Sequence, residues 1–259
     1  MPKATDFVIE QQRQLTADVL AVDLKAAIKL TGYLPGRFVM VELPNELYQL
    51  RRPLAIADCQ PDQGRLTLIY RVVGQGTKLL AELPAGTKLN VLGALGNGFN
   101  FQKLPVGSSV LLIGGGTGLP PLMYLAAALT KKGCQVETLV GFRTRKQIFG
   151  AEVFQKNGRF LLATDDGSAG VKGNVGTLLA TWQKQNCCHV YACGPLGLLR
   201  AVQQKFKSWP NLPVDLSLES RMGCGMGACA GCMVSVNGSK WNQHVCLEGP
   251  IFNATEVKL

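Results

Sequence analysis

No run of about 18 unbroken apolar residues occurs in this 259-residue chain, which argues against a membrane-spanning helix. The longest greasy stretch, Val110 to Leu129, is interrupted by Gly114, Gly115, Gly116, Gly118, Pro120 and Pro121, so it reads as a core element. The opening MPKATDFVIEQQ is polar and lacks the apolar centre of a secretory signal. Internal repeats and low-complexity segments are missing as well, which excludes fibrous and disordered classes. Nor is there a disulfide framework: nine cysteines is an odd count, and four of them crowd into the C-terminal segment at metal-ligand spacing. A reducing cytoplasm is the expected compartment.

What is present suffices for two ordinary domains and a small appendix, since 47% of residues are hydrophobic. The fold class expected is multi-domain, all-β plus α/β. From Lys3 to about Leu95 short alternating runs (VLAVDL, GRFVMVEL, PLAIAD, RLTLIYRVV, KLNVLGAL) suggest a small antiparallel barrel with little helix. After Pro105 and Gly107 strand-like and helix-like segments alternate, the rhythm of a parallel sheet covered by helices. Pro210 and Pro213 close that region, and the remainder is too small to bury a core without a metal centre. The expected domains are 1–103, 104–212 and 213–259.

In SRMGCGMGACAGCMV, Cys224, Cys229 and Cys232 stand at C-x4-C-x2-C spacing, and Cys246 follows after thirteen residues. That is the plant-type [2Fe-2S] pattern, in which soft thiolates hold iron and small intervening residues turn backbone N–H groups toward sulfur. A structural zinc site is the alternative, though it usually pairs its cysteines as two C-x2-C knuckles. Cys59, Cys134, Cys187 and Cys188 read as ordinary thiols.

LLIGGGTGLPP places Gly114, Gly115, Gly116, Thr117 and Gly118 between a buried strand and a helix, where a pyrophosphate can meet the helix N-terminus. The spacing is not G-x-G-x-x-G, and a tight connection would look similar. CGP at Cys193, Gly194 and Pro195, and TDDG at Thr164 to Gly167, end other strands of the same sheet, where open α/β sheets bind ligands. A nicotinamide nucleotide is the expected occupant, with Cys193 nearby. In the barrel, RRPLAIAD and IYRVVGQGT offer Arg52 and Arg71 to phosphates, and Gly76 with Thr77 as further donors, although ordinary strand ends share this look. The formal charge of +10 is spread along the chain, with short clusters at Lys131-Lys132 and Arg143 to Lys146. It suits a holder of anionic cofactors better than a nucleic-acid binder.

Taken together, RPxxI, YRxxGxGT, GNGF, GGGTGLPP, TDDGSxGxKG, CGP and SLExRMxCGxGAC resemble the electron-transfer subunits of class 1B dihydroorotate dehydrogenases, in the ferredoxin-reductase-like superfamily. The resemblance covers nearly the whole chain. It implies that Arg52, Pro53, Leu54, Ala55, Ile69, Tyr70, Arg71, Gly76 and Thr77 line FAD. It also implies a heterotetramer of two such chains with two FMN-carrying TIM-barrel subunits, passing electrons from dihydroorotate through the cluster and FAD to NAD+ in pyrimidine synthesis. Two departures stand out: Ala55 where the family often has serine, and Leu198 where it usually has methionine. Reductase subunits of a sulfite reductase, a hydrogenase or a ferredoxin:NADP+ transhydrogenase share the build. Arg143, Arg145 and Lys146 leave NAD against NADP open. The cluster loop carries no charge between Arg221 and Lys240, so Met222 and Met226 are expected to face a partner.

Overall fold

The computed structural model describes residues 3–183, 186–238 and 241–259. Six strands, β1 (Lys3–Gln14), β2 (Val19–Ala26), β3 (Phe38–Val41), β4 (Arg52–Gln60), β5 (Arg65–Arg71) and β6 (Lys88–Leu95), close a barrel in the order β1-β2-β5-β4-β3-β6. All six pairings are antiparallel. Period-two alternation sends Phe7, Ile9, Val22, Leu24, Ile56, Leu66, Leu68 and Val91 into one core. The expected barrel is therefore present, with one addition. Helix α1 (Gln75–Glu82) connects β5 to β6. Its start is fixed locally, because Thr77 Oγ1 accepts from the Val73 and Gly74 amides at 3.0 and 3.2 Å.

The second body is a seven-stranded sheet. It contains β7 (Ser109–Gly115), β8 (Gln135–Phe142), β9 (Arg159–Thr164), β10 (Val171–Lys172), β11 (Cys187–Cys193), β12 (Val214–Ser217) and, after a small antiparallel pair β13 (Met233–Val234) and β14 (Gln243–His244), β15 (Ile251–Asn253). The order is β10-β9-β8-β7-β11-β12-β15. Neighbours run parallel except β15, which lies antiparallel to β12 with Ser217 opposite Ile251. Helices α2 (Leu119–Lys131) and α3 (Ala151–Asn157) cover one face, and α4 (Val175–Thr181) and α5 (Leu196–Phe206) the other. Pro120 and Pro121 stand in the first turn of α2, where a missing N–H costs nothing.

Chain order reverses between β7 and β11: the chain builds outward from β7 to β10, then returns to β11 on the other side. Such a switch point opens a crevice at the strands' carboxyl ends. The barrel packs over this end of the sheet, with Val19, Ala21, Ala57 and Ile69 in the same core as α2. Asn97 ties the barrel to the C-terminal segment. Its Nδ2 donates to the carbonyls of Glu248 and Ile251, each at 2.8 Å, and its Oδ1 accepts from the Ile251 amide at 3.1 Å.

Candidate flavin, nicotinamide and cluster sites

Two clefts meet at the switch point. The first, of about 420 Å³, lies between the barrel and the ends of β11 and β12. Arg52, Pro53, Leu54, Ala55, Ile69, Tyr70, Arg71 and Thr77 all line it, so eight of the nine residues expected around a flavin share one wall. The ninth, Gly76, lies under the Arg52 side chain: a Cβ there would come within 2.4 Å of the guanidinium. Glycine thus lets Arg52 lie across the start of α1, leaving a cation beside backbone N–H groups. Apolar walls and a few placed cations in this volume fit a flavin with its phosphates. The Thr77 hydroxyl is used at home, donating to the Gly74 carbonyl at 3.0 Å, so its part is to shape the turn.

The second cleft, of about 330 Å³, is lined by Gly115, Gly116, Pro195, Arg143, Asp165 and Asn174, among others. The structure divides the glycine turn by role. A Cβ on Gly116 would meet nothing within 4 Å, so that residue faces open space with φ +55°. A Cβ on Gly118 would lie 2.4 Å from the Cys193 carbonyl, and one on Gly114 would lie 2.5 Å from Leu119 Cδ2. Gly114 and Gly118 therefore serve packing of α2 on the sheet, Gly115 and Gly116 serve the cleft, and Gly194 packs against Leu198 and Gly115. Thr117 and Cys193 line the first cleft, not the second. Arg71 borders both clefts and joins them. Of the three basic residues after β8, only Arg143 lines the second cleft.

Cys193 is 2% exposed, and burial pushes its thiol up to about 12, with the charge of Glu219 adding and a Ser217 hydrogen bond opposing. It is a neutral thiol at ordinary pH and no nucleophile.

Gly116→Val fills the open space, and its strain of about 1–2 kcal/mol leaves the fold intact. We expect the KM for NADH to rise by about tenfold with the flavin still bound. Steady-state kinetics and the flavin spectrum check both halves.

From Ser217, the last residue of β12, the chain runs along the first cleft through Leu218, Glu219, Ser220 and Met222, then becomes the cysteine loop. The four thiols lie near one another, Cys224 beside Cys229 and Cys232 beside Cys246. Backbone amides point at them: Met226 N lies 3.4 Å from Cys224 Sγ and Gly227 N lies 3.2 Å from Cys246 Sγ. Backbone donors, the Met226 amide foremost, hold Cys224 down at about 6, whereas burial pushes Cys246 up against the opposing Gly227 amide. Cys232 and Cys246 are buried, Cys224 is half-buried and Cys229 is exposed.

Among the described residues no three His, Cys, Asp or Glu side chains gather tightly enough for a single ion. Two separate pairs of soft donors under amide N–H groups fit a two-iron cluster, which takes two thiolates on each iron. Met226 and Leu247 are exposed beside the loop, whereas Met222 turns inward against the core and the flavin cleft, contrary to the expectation that it faces outward.

Comparison with known proteins bears on both ends of the chain. Residues 6–100 match the oxidoreductase FAD-binding domain, and residues 219–258 match the iron-sulfur cluster binding domain of dihydroorotate dehydrogenase B. The electron transfer subunit of dihydroorotate dehydrogenase B (NAD(+)) from Bacillus caldolyticus is 46% identical over 255 residues, 98% of either chain. That of Enterococcus faecalis is 39% identical over 258 residues, covering 98% of this chain and 97% of its own. Among solved structures, an NADH-dependent reduced ferredoxin-NADP oxidoreductase studied for flavin-based electron bifurcation superposes with a TM-score of 0.86 at 29% identity. That match covers 97% of this chain and 89% of the other. The Amycolatopsis cytochrome P450 reductase GcoB, at 22% identity and a TM-score of 0.69 over 81% of this chain and 67% of its own, shares the fold.

Proposed function

Because this chain belongs to the electron-transfer subunits of dihydroorotate dehydrogenase B, we propose that it carries electrons from an FMN-bearing catalytic partner through a [2Fe-2S] cluster and FAD to NAD+, in pyrimidine synthesis. Cys224, Cys229, Cys232 and Cys246 hold the cluster. Arg52 to Ala55, Ile69 to Arg71, Gly76 and Thr77 hold FAD, and the turn at Gly115 and Gly116 with Pro195 receives the nicotinamide nucleotide. A bound flavin supplies the exchange between hydride pairs and single electrons.

The observation that carries this reading is continuity: the segment walling the flavin cleft from Ser217 to Met222 becomes the cluster loop at Cys224. Flavin and cluster are thereby held on one short stretch of backbone. Arg71, on the border of the two clefts, gives the flavin and nicotinamide sites a common wall. A sister reading, the reductase subunit of a ferredoxin:NADP+ transhydrogenase, draws on the 29% identical structural relative and is outweighed by 46% identity over full length. No described helix is long and apolar enough to cross a membrane; the proposed place of work is the cytoplasm.

Acid release of the bound cofactor tests the flavin assignment: FAD is expected, and FMN alone from the isolated chain would sink it. Co-purification from the source cell tests the partner, expected as an FMN chain in a two-and-two assembly. The exposed Met226 and Leu247 beside the half-open Cys224–Cys229 pair form the proposed docking face. Met226→Glu should weaken assembly by about 2 kcal/mol, some thirtyfold in Kd, while NADH diaphorase activity on the FAD persists. A variant that assembles and turns over normally moves the docking face elsewhere.

A further inference from the structure

Arg51 and Arg52 stand side by side where the chain enters β4, and the structure uses them differently. Arg51 is taken up by the barrel. Its guanidinium donates to the Asn90 carbonyl at 3.1 Å and to Asn90 Oδ1 at 2.7 Å, and it pairs with the Glu42 carboxylate. Arg52 is left to the first cleft, which it lines.

What holds Arg52 is neutral. One terminal nitrogen donates to the Leu50 carbonyl, and the guanidinium carbon lies 5.6 Å from the centre of the Tyr48 ring, within reach of a cation–π contact. Gly76 supplies the room, since a Cβ there would stand 2.4 Å from Arg52 Nε. Among the described residues no carboxylate lies within ion-pair distance of Arg52. Arg71 differs: Asp18 Oδ2 stands 3.1 Å from its Nε and offsets its charge. A carbonyl and a ring face fix a guanidinium in place without cancelling that charge, so Arg52 keeps it for an anion entering the cleft.

Tyr48 is placed for this by its own loop. In the connection between β3 and β4 Leu47 and Leu50 are exposed, whereas Tyr48 is half-buried against the barrel core. Asn45 shapes the turn that brings it there: its Oδ1 accepts from the Leu47 amide at 2.9 Å and its carbonyl from the Tyr48 amide at 3.0 Å. Anchoring the loop would explain the burial of the ring. The cation over its face gives it a second duty.

We propose that Tyr48 is a positioning residue for the flavin phosphates. Its ring, with the Leu50 carbonyl, holds Arg52 over Gly76 as a charge with no partner of its own, ready for the diphosphate of FAD. Tyr48 acts through Arg52 and lies outside the cleft wall itself. The assignment rests on the flavin reading given above and adds to it the loop that makes the arginine effective.

The test is a calorimetric titration with FAD of the full chain, its cluster in place and its flavin removed. Tyr48→Phe keeps the ring face and should bind within about twofold of wild type. Tyr48→Leu keeps an apolar side chain but loses the face, and its Kd should rise about fivefold. Arg52→Gln removes the charge and should raise the Kd about thirtyfold. In the double variant the Tyr48→Leu step should add nothing, because no cation is left to position. Gly76→Ala disturbs the same guanidinium from the helix side. Alanine suits a helix, so the fold holds while the new Cβ displaces Arg52, and FAD should bind about fivefold more weakly.

A Tyr48→Leu chain that binds FAD as tightly as wild type overturns the assignment. So does an equal loss whether residue 52 is arginine or glutamine, which would make Tyr48 a loop anchor only. Should Tyr48→Leu fail to fold, normal FAD binding by Gly76→Ala overturns it instead. If even the wild-type chain takes up no FAD, the flavin reading itself falls, and this assignment with it.

Discussion

Replacing Cys246 by serine is expected to strip the cluster, bleaching its visible absorbance and removing the bound iron. Cys246 is 2% exposed and sits in the core that joins the cysteine segment to the sheet, beside the equally buried Cys232. A serine there offers a hard, neutral oxygen where a soft thiolate is needed. Electron flow from dihydroorotate to NAD+ should fall more than about 100-fold. NADH-to-dye activity should persist, because the flavin and nicotinamide clefts are built mainly from other segments. Among its described residues the cysteine loop has only the two-residue strands β13 and β14 as regular structure, so proteolysis within it should speed up. A variant with normal iron content and spectrum would show the ligand to be another residue.

Gly118→Val is expected to do the opposite kind of damage, to the fold and not to one centre. Its Cβ would stand 2.4 Å from the Cys193 carbonyl carbon and oxygen and 2.5 Å from the Gly194 amide, all of them backbone atoms that cannot swing aside. Either α2 lifts from the sheet or the end of β11 shifts, at a cost of about 3 kcal/mol or more. The melting temperature should drop by roughly 10 °C. Both clefts should loosen together, since Cys193 borders one and Pro195 the other. Thermal unfolding of Gly116→Val alongside Gly118→Val separates a glycine kept for its ligand from one kept for packing. Equal melting points would dissolve that distinction.

Much of this was legible in the sequence because the determining physics is local. Period-two alternation gave the barrel, and the alternation of strand and helix patterns gave the parallel sheet. The cysteine spacing proposes its donors without tertiary information. The barrel arginines and the glycines Gly115 and Gly116 stand out for the same reason: each sits at a strand end, and the structure sets them on the walls of the two clefts.

What was not legible depends on contacts between distant segments. Nothing local in VDLS or IFN announces that β12 and β15 become the outer strands of the central sheet, because four- and three-residue strands carry too little pattern. Met222 and Met226 look alike in sequence, yet one packs inward and the other is exposed, a choice made by the barrel and sheet on either side. The division of the glycines into packing and ligand roles likewise waits on where α2 and β11 lie.

The pairing of Ser217 with Ile251 has a further consequence, for the order in which the molecule matures. The cysteine loop leaves the sheet at one residue and rejoins it at the residue directly opposite, so both its feet are pinned by strand pairing. The entropy of closing so long a loop is met by strand pairing and by the Asn97 hydrogen bonds, not by the metal. Folding of the two nucleotide-binding parts can therefore finish first, leaving an open purse of thiols into which a cluster is delivered late. An iron-starved cell should accumulate a folded, flavin-loaded chain awaiting its cluster, and not an unfolded one.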